Sequence, residues 1–107
     1  MAFYELRQYK VRPDKMDAWV KIMEEEIIPF QVKMGMVILG SFVGEEHESV
    51  YVWIRRFDNE PERKRLYDAV YQSDYWKNEI SPRVPKMIDR EKIKVTRLVA
   101  TPRSVIQ

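Results

Sequence analysis

An α+β fold, one sheet carrying two helical segments, is what this sequence predicts, and three observations carry the prediction. Four stretches have the composition and alternation of strands, and two have the apolar spacing of helices. Their order along the chain is strand, helix, strand, strand, helix, strand, without an internal repeat. At 107 residues the chain is read as one domain, residues 1–107, with material for a single core. Hydrophobic residues at 45% beside charged residues at 34% place it among folded globular proteins rather than disordered chains.

Residues 3–11, FYELRQYKV, mix aromatic and β-branched residues with charges as a strand does, and the following RPD stops the run. Pro13 and Asp14 suit a first helical turn. From there Trp19, Met23, Ile27, Phe30 and Met34 recur at helical spacing. Pro29 removes a backbone donor and crowds the preceding turn, so the helix is expected to bend or break near residue 28; Gly35 is its stop. Residues 36–44 and 50–57 are two further strands around the charged tip EEHES, which makes them a hairpin. Asn59 and Glu62 have capping-box spacing, with Pro61 inside the first turn of a second helix that carries Leu66 and Val70 beside Tyr67 and Tyr71. Ser73 recaps a short continuation, which Pro82 and Pro85 end. Residues 90–100 alternate Ile93, Val95 and Val99 with Lys92, Lys94 and Thr96 as a fourth strand, and TPRSVIQ is a tail.

This order is the ferredoxin-like βαββαβ pattern, a four-stranded antiparallel sheet with both helices on one face because crossovers are right-handed. The other face is then bare. In VYVWIRRF, residues 50–57, both alternating sets look meant for burial, Val50, Val52 and Ile54 on one face and Tyr51, Trp53, Arg55 and Phe57 on the other. We expect the bare face to hold Trp53 and Phe57, with Tyr9 and Ile38 or Phe42 nearby. So large an apolar patch calls for a cover, and a second copy, packed sheet against sheet in a barrel-like dimer, supplies one.

The stretches FYELRQYKVRPDKMDAW, IIPFQVKMG, RFDNEPER and SDYWKNEISPRVPKM together resemble the NIPSNAP family of the dimeric α/β-barrel superfamily. The resemblance spans residues 3 to about 98. It implies the ferredoxin-like fold, a homodimer and a cavity between each sheet and its helices or partner, and it brings no defined reaction. It departs from the family pattern in the third strand, where Trp53 and Arg55 stand in place of a His and a Trp.

Glu5, Arg7 and Tyr9 share one face of the first strand, and Trp53, Arg55 and Phe57 one face of the third, its neighbour in this fold. Glu5, Arg7, Tyr9, Trp53 and Arg55 are therefore the candidate ligand-binding residues. A guanidinium fork pairs a carboxylate and the rings offer stacking, which suits a small acidic or aromatic molecule. The plainer alternative is a Glu5 ion pair with Arg7 or Arg55, with the aromatics as packing.

Three functions are open: a small-molecule-binding homodimer; by analogy of fold with the superfamily it resembles, a cofactor-independent monooxygenase or isomerase using Glu5 as base and Arg7 or Arg55 on an enolate; or a structural or partner-binding dimer without a ligand. No catalytic residue is assigned. The chain has no cysteine and a single His47 in the charged tip, so no metal and no cofactor are expected. Nineteen Lys and Arg against 17 Asp and Glu leave a net charge of +2, too little to suggest nucleic acid. The basic C-terminal stretch reads as edge-strand protection. MAFYELRQYK is too charged for a leader or a spanning helix, which makes a cytoplasmic location the expectation.

Overall fold

The computed structural model describes residues 1–107. Strands β1 (Phe3–Lys10), β2 (Val37–Val43), β3 (Val50–Phe57) and β4 (Lys94–Leu98) form one antiparallel sheet in the order β2-β3-β1-β4. Helices α1 (Met16–Ile22), α2 (Ile28–Met34), α3 (Glu60–Tyr71) and the short α4 (Val84–Met87) pack on one face of it. This is the ferredoxin-like arrangement that the element order predicts. The fourth strand is shorter than expected: Arg90–Lys92 form a 3-10 turn, and Ile93 leaves the ladder to pack on the core.

The first helical segment runs on through Pro29 instead of breaking. Between α1 and α2, Met23–Ile27 form a π turn, in which the Ile28 amide donates to the Met23 carbonyl five residues back. Widening the ladder by one residue accommodates a proline that has no amide to donate. The same solution recurs at Trp76–Ile80, where the Ser81 amide donates to the Trp76 carbonyl (2.7 Å) immediately before Pro82. Gly35 ends α2 at φ 110°, a left-handed position that costs a glycine little, and the Met36 amide closes on the Gln31 carbonyl. Asn59 caps α3 by accepting from the Glu62 amide at 2.8 Å, and Glu62 reaches back to the Asp58 amide at 3.0 Å.

The expectation for the two faces of β3 is corrected. Tyr51, Trp53, Arg55 and Phe57 lie beneath the helices, with Trp53 only 2% exposed, and Tyr9 lies there too. The bulky aromatic set fills the deep sheet-to-helix layer. The slimmer Val52 and Ile54 lie on the uncovered face with Leu6, which stands opposite Ile54. Ile38 also turns to the helices, while Phe42 faces out and is 54% exposed. A bulge between Ile38 and Gly40 inserts one residue and reverses the parity of the strand beyond it. Gly40 leaves room there for the exposed Phe42 ring, which would have to move aside for a Cβ at this position.

Candidate functional site

β1 and β3 bring the five sequence-predicted residues together. Glu5 stands opposite Arg55, and Arg7 opposite Trp53, all on the helix-covered face. They divide into an ion-pair network and a cavity beside it.

The network is centred on Arg55, which is fully buried. Its Nη2 donates to Glu5 Oε1 (3.0 Å) and to the Tyr67 hydroxyl (2.7 Å), and its Nη1 to Gln31 Oε1 (2.9 Å) and the Tyr71 hydroxyl (2.8 Å). The guanidinium also lies 4.7 Å from the Trp53 ring centre. Glu5 is engaged at both oxygens, accepting from Tyr67 (2.6 Å) and Arg55 at Oε1 and from Arg63 Nε (2.8 Å) at Oε2. Burial works to raise its carboxyl pKa, but the hydrogen bonds from Arg63 and Tyr67 and the charges of both arginines outweigh it and hold it below the usual carboxylate range. Burial alone would favour a neutral Arg55; the surrounding tyrosines and Glu5 reverse that and keep it protonated.

The cavity has a volume of about 100 Å³ and is lined by Arg7, Tyr9 and Trp53 from the sheet, with Trp19, Tyr71 and Trp76 from the helical layer. Its remaining walls are aliphatic, apart from the exposed Arg90 at the rim, and no carboxylate lines it. Glu5 and Arg55 support this cavity from the adjoining network and are not in its wall. Both π turns contribute to it, Met23 and Ile27 from the first and Trp76 from the second. Such turns recur at functional sites because they re-aim side chains.

Arg7 is half-buried, and its only hydrogen bond or ion pair within the protein runs from Nε to the Tyr9 hydroxyl at 2.9 Å. The same hydroxyl accepts from Trp53 Nε1 at 2.8 Å. Burial pushes the Tyr9 pKa up, against the lowering pull of the Arg7 charge, so the phenol keeps its proton at neutral pH. Trp19 packs edge-on to Tyr9, with ring centres 5.7 Å apart, and its buried Nε1 has no partner.

Sequence reasoning placed Arg7, Tyr9 and Trp53 correctly on one face but missed Trp19, Gln31 and Arg63. Trp19 read as one more member of an apolar stripe. Gln31 did carry a signal: it stands four residues after Ile27, and it is fully buried.

A larger open groove of about 790 Å³ runs between the β2–β3 tip and the start of α1, past Asp14, Asp17 and His47. No three of the protein's His, Asp or Glu side chains are grouped to hold a metal ion, and no helix is long and apolar enough to cross a membrane.

A model of the NIPSNAP family matches residues 4–102. A NIPSNAP family protein from Agrobacterium tumefaciens has a similar structure, with a TM-score of 0.88 at 22% identity and all of both chains covered. A NIPSNAP-like domain protein from Burkholderia xenovorans superposes with a TM-score of 0.85 at 17% identity over 96% of this chain and 88% of the other. An antibiotic biosynthesis monooxygenase is more distant, with a TM-score of 0.67 at 15% identity over 94% and 99% of the two chains. No curated protein matches the sequence.

Proposed function

Since the chain belongs to the NIPSNAP family over nearly its whole length, we propose that it is a homodimer that binds a small organic acid in the cavity between sheet and helices. One observation carries this reading: Arg7 is a half-buried cation in a cavity wall with no carboxylate to pair with. Removing a charge from water is costly unless it is paired, and the one buried acid nearby, Glu5, is already held by Arg55 and Arg63. An incoming carboxylate provides the missing counter-charge, and the apolar wall accepts its hydrocarbon part. About 100 Å³ suits a short acid better than an aromatic one, given that benzene occupies an engineered cavity of about 150 Å³.

Catalysis is less well supported. A cofactor-independent oxygenase or isomerase needs a base at the ligand, and Glu5 is neither free nor in the cavity wall. The likeness to a monooxygenase is one of fold alone.

Dimerisation is supported by the uncovered face of the sheet. Leu6, Val52 and Ile54 are half-buried there, and Val37, Phe42 and Leu98 are exposed, an apolar surface running across all four strands. A second sheet packed on it would bury these side chains face to face.

The acid-binding reading is tested by thermal unfolding with sodium butyrate against sodium chloride at equal ionic strength. Butyrate is expected to raise the Tm of the wild type in a saturable way and to leave Arg7→Met unchanged. Equal shifts in both proteins would overturn the assignment of Arg7.

A further inference from the structure

The cavity contains a second, finer instruction in the hydrogen-bonding sense of its polar groups. A phenol has one proton to give and two directions in which to accept. The Tyr9 oxygen already accepts twice within the protein, from Arg7 Nε and from Trp53 Nε1. Its own proton has no acceptor among the protein's side chains, so it is left to donate. The Tyr71 hydroxyl is in the same position, accepting from Arg55 Nη1 and, more weakly, from Gln31 Nε2 at 3.3 Å. An indole N–H only donates, and Trp19 Nε1 is buried beside Tyr9 without a partner. The guanidinium of Arg7 has no accepting atom either. Every polar group that the inner wall offers is therefore a donor.

Resting on the acid-binding reading above, we infer that the cavity is a donor-only site selecting the carboxylate of a short-chain monocarboxylic acid, and that Trp53 is the positioning residue that sets this polarity. Trp53 acts through Tyr9. By occupying one accepting direction of the hydroxyl, it leaves the phenol no way to receive a hydrogen bond from a ligand. A carboxylate, which only accepts, satisfies Arg7, Tyr9 and Trp19 together. An amide of the same shape turns its NH₂ group toward a donor and leaves both unpaired, the situation in which a polar site discriminates most strongly. The hydrocarbon part lies against Met23, Ile27 and Ile88. One cation inside and no other within the apolar wall favour a single carboxylate over a diacid.

The test is calorimetric titration of the full-length protein with sodium butyrate and with butyramide. The wild type is expected to prefer butyrate by about a hundredfold. Trp53→Phe frees an accepting direction on Tyr9, so the preference is expected to narrow to about tenfold or less, chiefly through tighter amide binding. A merely structural role for Trp53 would weaken both ligands together and leave the ratio unchanged. Tyr9→Phe supplies a second measurement should Trp53→Phe not fold: butyrate affinity is expected to fall about tenfold, with butyramide unaffected. Arg7-dependent binding of butyrate with a ratio unchanged in Trp53→Phe, or with butyramide bound as well as butyrate, overturns the polarity inference alone. Failure of butyrate, acetate and inorganic phosphate alike to bind overturns the acid-binding reading and the inference with it.

Discussion

Arg55 engages partners through both terminal nitrogens while its buried Nε has none, and Glu5 supplies the opposite charge that compensates its burial. Replacing Glu5 by Gln removes the compensating charge and leaves a buried guanidinium uncompensated, which is expected to cost about 3–5 kcal/mol at neutral pH. Chemical denaturation of both proteins measures this. The pH dependence has a defined sign: the folded-state pKa of Glu5 lies below its unfolded value. Its contribution is thus complete above the unfolded carboxyl pKa, about 4.3, and is lost as pH falls through the lower folded value. The stability gap between wild type and Glu5→Gln should therefore be constant from pH 7 to about pH 5 and close at more acid pH. A gap independent of pH would contradict the ion-pair account. These residues were legible in the sequence because the two-residue period of a strand places Glu5, Arg7 and Tyr9 on one face whatever the details. What period two does not say is which arginine takes the carboxylate, since that depends on Arg63, Tyr67 and Tyr71 arriving from α3.

Single-residue insertions in the ladders decide how the elements present their side chains. The π turn before Pro29 adds one residue to the helix, so the buried positions run Trp19, Met23, Ile27 and Gln31, where a regular helix would have continued through Phe30. The sequence located Pro29 as a disturbance but not its form, because a break and a widened turn remove the same hydrogen bond. The bulge in β2 is a similar case, and it is testable. Gly40→Ala forces the exposed Phe42 ring off its position and is expected to destabilise the protein by about 1 kcal/mol. The double variant Gly40→Ala with Phe42→Ala should recover most of this relative to Phe42→Ala alone, a coupling that a double-mutant cycle reads directly. Additive losses would mean that the glycine is needed for its backbone and not for the close approach of the ring.

At the scale of the whole molecule, the element order was sufficient for the topology, whereas the assignment of faces was not. Both sides of VYVWIRRF are apolar enough to be buried, and alternation alone carries no label for the helix side. Volume decided it: Tyr51, Trp53 and Phe57 fill the layer under the helices, and Val52 and Ile54 are left for the outer face. In the proposed homodimer, that face packs against a second copy. Ile54→Glu places a charge at its centre without entering the helix-side core, and is expected to convert a dimer to a folded monomer, as read by light scattering and circular dichroism. A wild type that is monomeric at high concentration would contradict this use of the face. The cavity proposed to bind an acid lies on the opposite side of the sheet, so the monomeric variant should still bind butyrate.

The most direct measurement for the central claim is a titration of the ¹⁵N-labelled protein with sodium butyrate, following the indole N–H signals of its three tryptophans by NMR. The account predicts that the Trp19 signal, assigned from Trp19→Phe, moves downfield and saturates as its unpartnered N–H gains an acceptor, and that Arg7→Met abolishes the change. A Trp19 signal that stays in place while butyrate is bound elsewhere, or that moves equally without Arg7, would contradict it.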